Sequence, residues 1–230
     1  MLGFLNFFLF LCALGAMYAF LTARQEISTL RQRELAYLSG ITDLIDQFEQ
    51  YSEQHAVPMA KEAELIGRYL GLTDEGLHSL CVAALLHDCG EWNLPREMIQ
   101  AQRDLTNAER YLLRTHPLIG EMAIRRYTPE IDVVSSIIRW HHERWDGGGY
   151  PDGLMGEDIP LSARILTVVD AASAMSQDRP HRKALSASRI NEELERLSAL
   201  QFDPDVVQAR TAILRAALTN NISDVPMSEA

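Results

Sequence analysis

The chain has few cysteines, a deficit of basic residues and no marked strand pattern, and each shortage excludes a class of protein. Three cysteines in 230 residues, one of them Cys12 in an apolar N-terminal stretch, are too few and too scattered for a disulfide framework. Lysine and arginine total 21 against 32 aspartates and glutamates, which gives a formal net charge of −11. We therefore expect no nonspecific binding to a nucleic-acid polymer, and an anionic ligand would have to be bound locally.

Helix caps, helix stops and helical apolar spacing recur along most of the chain, and no alternating strand pattern or internal repeat is visible. Gly71 stands at a helix stop, Thr73 at a helix cap, and residues 106–109 have the spacing of a capping box. Residues 133–140 form a β-branched apolar run that resembles a strand, but the helical surroundings and the histidines that follow favour a buried helix. The sequence therefore predicts an all-α domain.

The N-terminal stretch is apolar and uncharged. Residues 2–21 contain Asn6 as their one strongly polar side chain, and a run of this length is enough to cross a bilayer as a helix. Basic residues are missing before the run and appear after it, between residues 24 and 33, which orients the C-terminal side towards the cytoplasm. We expect residues 1–22 to be a retained single-pass anchor in the inner (cytoplasmic) membrane, since a cleaved signal normally has a basic start and a shorter apolar core.

Three further segments complete the predicted domain organisation. Residues 23–50 are polar with a loosely helical apolar spacing, and we interpret them as a juxtamembrane helical linker. This linker either pairs with a second copy to form a homodimer or packs on its own domain. The main domain is predicted over residues 51–218 and a loose polar tail over residues 219–230.

Histidines and aspartates stand at or near the ends of several apolar helices. His87 and Asp88 close the uncharged run 80–86, where a buried imidazole and carboxylate are costly unless something pairs with them. A single His-Asp pair of this kind is more often a helix-end histidine beside a capping aspartate, but similar sites recur along the chain. The candidate metal ligands are His55, His87, Asp88, His116, His141, His142 and Asp170.

This set of donors is larger than one ion requires. Adjacent residues on a helix diverge by about 100°, so His141 and His142 are both useful when two ions flank them. We therefore expect two divalent ions. Nitrogen and carboxylate donors without thiolates suit iron, manganese or zinc, and this donor chemistry does not choose between them. We favour iron or manganese, with zinc as an alternative, and interpret Cys89 as a buried thiol.

A family resemblance rests on these residues together with a long glycine-rich loop. The residues that carry it are His87-Asp88, His116-Pro117, His141-His142-Glu143-Arg144-Trp145-Asp146-Gly147-Gly148-Gly149-Tyr150-Pro151, Gly153-Leu154, residues 159–165 and Asp170. From about His55 to Asp205 the chain resembles the HD-GYP subgroup of the HD-domain metal-dependent phosphohydrolases. The resemblance implies an HD-domain helical bundle, here with an N-terminal transmembrane helix, in which two ions lower the pKa of a shared water. The resulting metal-bridged hydroxide would hydrolyse cyclic di-GMP to pGpG or GMP.

The resemblance also implies a role for each site residue. The seven candidate ligands take the ligand positions of the family, with Asp88 bridging two ions and serving catalysis. Gly149 and Tyr150, together with Arg179 and Arg182, would line the side on which the nucleotide lies.

Three positions depart from the family pattern. Glu91 stands where a lysine is usual and Ser173 where a second aspartate is usual, while Tyr51 replaces a glutamate that supplies a third metal in some members. Glu91 either weakens phosphate binding through its charge, activates water as in other HD hydrolases, or is an exposed helix-end residue. The alternatives are therefore an HD hydrolase of another nucleotide that uses Glu91, or a catalytically weak module that binds a nucleotide or a partner for signalling.

Overall fold

The structure, a computed structural model, describes residues 2–48, 55–101, 103–127, 132–178 and 183–223. These residues form ten α-helices: α1 (Leu2–Phe48), α2 (Ala56–Tyr69), α3 (Asp74–Leu86), α4 (Arg96–Ile99), α5 (Asn107–Leu113), α6 (His116–Tyr127), α7 (Asp132–Trp140), α8 (Leu161–Ser176), α9 (Ala187–Arg196) and α10 (Pro204–Ser223). Two 3₁₀ turns lie at Cys89–Asn93 and Gly156–Asp158. The described part of the chain contains no strand beyond an isolated bridge between Ser198 and Phe202, so the all-α prediction is confirmed.

The chain divides into two compact units, Met1–Gly40 and Ile41–Ala230. The predicted membrane anchor at residues 1–22, and with it the single-pass location in the inner membrane, is wrong. Among the described residues, no helix is both long enough and apolar enough to span a bilayer. The apolar residues 2–21 are instead the first part of one helix, α1, which runs on through the charged residues 24–34 to Phe48.

Some of the predicted boundaries fall where the structure has no description. The proposed domain start at residue 51 lies outside the described residues, as does the tail from residue 224 onwards. Helix α10 extends through Ser223, five residues beyond the predicted domain end at 218. The pairing of residues 23–50 with a second copy stays a prediction.

Helices α3, α7 and α8 form the interior of the second unit. Helix α3 packs against α2, α7 and α8, while α6 packs against α7 and against the first 3₁₀ turn. Leu80, Ile138 and Leu166, one from each of the three interior helices, are completely buried. Because α3 is uncharged from Leu77 to Leu86 apart from His78, it can be buried on most of its faces.

Local sequence signals define where these helices begin and end. Thr73 accepts a hydrogen bond from the backbone of Gly76, and Thr106 and Glu109 form the predicted capping box of α5. Gly71 follows α2 with a φ of +81°, a conformation that favours glycine. The β-branched run 133–140 lies in α7, as predicted, because its apolar side chains pack into the helical interior.

One glycine brings the first 3₁₀ turn against the start of α6. A Cβ added to Gly90 would overlap the carbonyl oxygen of His116 and lie 2.8 Å from the backbone nitrogen of Gly120. Only a residue without a side chain allows this approach of two backbones. As a result, Asp88, which precedes the turn, lies beside His116, which begins α6.

Candidate metal centre

The structure brings the predicted ligands together from five places in the chain. Two groups offer donor atoms that all lie within 4.8 Å of one another. They are Asp88 with His116, His141 and His142, and Asp88 with His55 and His87. Asp170, from α8, approaches the second group, since its Oδ1 lies 3.9 Å from Nε2 of His87. All seven predicted ligands therefore lie in one region.

Asp88 belongs to both groups because its two oxygens face different histidines. Its Oδ2 lies 2.8 Å from Nε2 of His87. Its Oδ1 lies 3.2 Å from Nε2 of His116 and 3.8 Å from Nε2 of His141. This division would allow Asp88 to offer one oxygen to each of two cations.

Backbone carbonyls orient three of the imidazoles. Nδ1 of His87 lies 3.0 Å from the oxygen of Ala84, and Nδ1 of His141 lies 2.7 Å from that of Ile138. His116 makes the same contact with Leu113 at 2.8 Å. A carbonyl only accepts, so each Nδ1 carries the proton and donates it. Each Nε2, directed at Asp88, is then the nitrogen that can bind a metal ion.

Burial and neighbouring charge bring several groups to the ionisation state that a metal requires. Burial lowers the pKa of His141 to about 3 and that of His142 well below its ordinary value. Burial alone would raise the pKa of Asp88, but the charge of His87 and hydrogen bonds from His116 and His87 hold it well below its usual range. The carboxylate of Asp88 beside the neutral imidazoles of His141 and His142 forms a donor set that fits divalent cations.

Cys89 does not belong to this donor set. Burial and, to a smaller extent, the charge of Asp88 raise the pKa of its thiol to about 12, so the sulfur stays protonated. Its Sγ faces α6, 3.3 Å from where a Cβ on Gly120 would lie. The interpretation of Cys89 as a packed thiol agrees with this contact.

Glu91 lies in the first 3₁₀ turn, one turn beyond Asp88. Its side chain is half-buried, so Glu91 is not the exposed helix-end residue of the third alternative. Burial and the charge of Asp88 together raise the pKa of Glu91 to about 7. A carboxyl group in that range can both accept and donate a proton near neutral pH.

Tyr150 lies against the metal-ligand cluster, as its predicted role requires. Its ring stacks on His142 with centroids 4.9 Å apart and an interplanar angle of 29°. The guanidinium of Arg114 also lies over the Tyr150 ring, with its Cζ 5.3 Å from the ring centroid. Burial raises the pKa of Tyr150, so its hydroxyl stays protonated and can donate a hydrogen bond. Sequence reasoning missed Arg114, although its position two residues before His116 was a usable signal.

The loop that carries Tyr150 is held in part by contacts between its own residues. Glu143 is 1% exposed, and its Oε1 accepts hydrogen bonds from the backbone nitrogens of Asp152 at 2.7 Å and Gly153 at 3.0 Å. A Cβ added to Gly149 would overlap the backbone nitrogen of Arg144 and lie 2.5 Å from Cα of Glu143. Gly149, predicted to line the nucleotide side, is thus packed on the backbone of its own loop. The sequence assigned no role to Glu143.

Three of the predicted positions lie outside the described residues, and a fourth lies on α8. Arg179 and Arg182, assigned to the nucleotide side, lie outside the described residues, and so does Tyr51. Ser173 lies on α8 one turn after Asp170 and is half-buried.

The family profile described as the HD domain matches residues 39–206, most of the chain. The chain belongs to the HD domain family. This HD protein is 34% identical to the cyclic di-GMP phosphodiesterase response regulator RpfG of Xanthomonas campestris, over 80% of the chain and 49% of RpfG. It is 29% identical to a cyclic di-GMP phosphodiesterase of Thermotoga maritima, over 75% of the chain and 48% of that protein.

The HD chain thus spans about half the length of these curated relatives. Among solved structures, it resembles a cyclic GMP-AMP specific phosphodiesterase of Vibrio cholerae with a TM-score of 0.63 and 19% identity, over 84% of the chain and 53% of the other. That likeness concerns the fold alone. The family match and the relatives confirm the predicted HD-GYP type, a class of metal-dependent phosphohydrolases.

Proposed function

We propose that this HD domain is a phosphodiesterase that hydrolyses cyclic di-GMP to pGpG or GMP. The observation that carries the proposal is the division of Asp88 between two groups of donors, each of which can hold one cation. Relatives named as cyclic di-GMP phosphodiesterases support the substrate class. Other relatives are named as 3'3'-cGAMP-specific phosphodiesterases, so that dinucleotide is the first competitor to compare.

Two ions, iron or manganese before zinc, would be held by the two groups that share Asp88. The first group is Asp88 with His55 and His87, with Asp170 close by. The second is Asp88 with His116, His141 and His142. Bound ions supply an activated water at neutral pH and offset the negative charge of the phosphoryl oxygens.

The protein's own residues orient the reacting groups. The carbonyls that receive the Nδ1 protons hold the imidazoles of His87, His116 and His141 in one rotamer and one tautomer. Tyr150 stacks on His142, and its hydroxyl would be able to donate a hydrogen bond to a substrate oxygen. Because Glu143 holds the loop in one conformation, Tyr150 is already in position when a substrate binds.

A second candidate function is the hydrolysis of another nucleotide with Glu91 as the group that moves a proton. The half-buried position of Glu91, one turn from Asp88, favours this alternative. In that role Glu91 accepts a proton from the attacking water and returns it to the leaving oxygen. Glu91→Lys should lower activity if this is correct, and should raise activity on cyclic di-GMP if the glutamate merely repels phosphate.

The test is a substrate panel on the full chain, prepared in parallel with iron, manganese and zinc. Bound metal is counted by elemental analysis, and cyclic di-GMP, 3'3'-cGAMP and linear nucleotides are followed by chromatography. We expect two metal ions per chain and conversion of cyclic di-GMP to a linear product. Full metal loading without turnover of any cyclic dinucleotide would contradict the proposal and favour a binding module instead.

A further inference from the structure

Arg114 lies at the rim of the metal centre without taking part in it. It is the C-cap residue of α5 and is exposed to solvent. Its guanidinium lies over the ring of Tyr150, and that ring stacks on the candidate ligand His142. Arg114 therefore contacts the ring that stacks directly on the donor cluster.

The donors of Arg114 are available to a ligand. Nearby arginines are engaged by carboxylates, since Arg139 pairs with Asp152 and Arg144 pairs with Asp146. Within the described ranges of the chain, Arg114 makes no such ion pair, and its side-chain contact is with the Tyr150 ring. A contact with an aromatic face uses none of the five guanidinium N–H groups in a conventional hydrogen bond.

The charged groups around Tyr150 indicate a binding role for Arg114. Of the charged groups that act on the Tyr150 hydroxyl, Asp88, Asp170 and Glu91 are negative and Arg114 is positive. Cations bound at the cluster would offset the carboxylates close to them, and a second anionic group of the substrate would need a further positive charge nearby. A cation at the rim, held over Tyr150, is suited to that second group.

We propose that Arg114 is a substrate-binding residue that receives the uncleaved phosphate of a cyclic dinucleotide while the metal centre holds the phosphate to be cleaved. The inference rests on the proposed function, because a substrate with one phosphate has no second anion for Arg114. A guanidinium can donate two parallel hydrogen bonds to phosphate oxygens, and the ring beneath it limits its rotation. Arg114 thus selects substrates with two phosphates over simple phosphodiesters.

The experiment compares three variants of the metal-loaded full chain: Arg114→Ala, Arg114→Lys and Arg110→Ala. Arg110 is an exposed arginine one turn earlier on α5 and serves as the matched control. Turnover is measured with cyclic di-GMP and with bis(p-nitrophenyl) phosphate, a diester that has a single phosphate. The Kd of a phosphorothioate analogue of cyclic di-GMP is measured separately, so that binding is known without turnover.

Arg114→Ala should raise KM for cyclic di-GMP and Kd for the analogue by roughly 10-fold, as expected for a lost hydrogen bond between charged groups. Its kcat for cyclic di-GMP and its activity on bis(p-nitrophenyl) phosphate should stay at the wild-type level. Arg114→Lys should recover part of the affinity, because it keeps the charge but not the fork. Arg110→Ala should behave as wild type.

Two kinds of failure are distinguishable. Unchanged KM and Kd in Arg114→Ala, or an equal loss on both substrates together with lower metal content, would overturn the role of Arg114. A wild-type protein that cleaves bis(p-nitrophenyl) phosphate but no cyclic dinucleotide would overturn the proposed function. In that case the Kd of the analogue still decides whether Arg114 binds a second phosphate.

Discussion

The metal centre and the loop of residues 143–158 are neighbours that are held in different ways. The ends of buried helices and three backbone carbonyls orient the histidines of the centre. The loop has no regular structure apart from the 3₁₀ turn Gly156–Asp158, and polar contacts such as Glu143 with the backbone of Asp152 maintain its shape. Substitutions in the centre should therefore lower the metal content. Substitutions in the loop should instead weaken substrate binding and turnover while the metal content stays unchanged.

The largest effect is expected for Asp88→Ala. This change removes the carboxylate shared by both donor groups, so metal content should fall and hydrolysis should drop by more than the roughly 100-fold that loss of a ligand's supporting partner costs. Elemental analysis and turnover of cyclic di-GMP measure the two effects. Asp158→Ala, an exposed aspartate of the loop, is the control and should change neither. Wild-type turnover by Asp88→Ala would refute the assignment of the centre.

Gly149→Ala should have the next largest effect, and it should separate the two regions. The added Cβ overlaps backbone atoms of Glu143 and Arg144, so the loop must shift and carry Tyr150 with it. A displacement of about 1 Å can cost on the order of 100-fold in rate, so kcat/KM should fall strongly at unchanged metal content. The control is Gly76→Ala, where the nearest atom to the new Cβ is 3.5 Å away. Loss of metal in Gly149→Ala would show that loop and centre are not separable.

Glu143→Gln should have an intermediate effect through the same loop. The amide keeps the shape of the side chain but accepts the hydrogen bonds from Asp152 and Gly153 without a charge, which should lower the free energy of unfolding by about 1–3 kcal/mol. KM for cyclic di-GMP should rise while metal content stays constant. Denaturant titration and steady-state kinetics measure these changes. The exposed Glu157→Gln in the same loop is the control, and equal behaviour of the two variants would refute the anchoring role of Glu143.

The smallest effect concerns the dependence of loop stability on pH. A hydrogen bond from Arg139 lowers the pKa of Asp152 from 3.8 to about 2, with a further contribution from Trp140. Because the folded pKa lies below the unfolded value, the stabilisation is present above about pH 4 and is lost as the pH falls through about 2. Asp152→Asn should lower Tm by about 2 °C at pH 6, as expected for a partly exposed pair. The difference from wild type should disappear towards pH 2, and a difference that persists there would argue against this ion pair.

Much of the helical framework could be predicted because its signals are local. Capping residues such as Thr73 and Thr106, and the glycine stop at Gly71, act within a few residues of the chain. The histidines and aspartates at helix ends were identified for the same reason. The membrane anchor at residues 1–22 was predicted from the length of an apolar run and the basic residues after it, and it is wrong, since no described helix is both long enough and apolar enough to span a bilayer.

The sequence by itself determined which side chains offer metal donors and where the helices that carry them end. Only the tertiary structure decided that the two oxygens of Asp88 face different histidines, that Glu143 binds the backbone of its loop, and that Arg114 lies over Tyr150. The physical reason is that helix periodicity and capping depend on neighbours in the chain. The direction of a carboxylate oxygen or a guanidinium depends instead on how separate helices and loops pack in space.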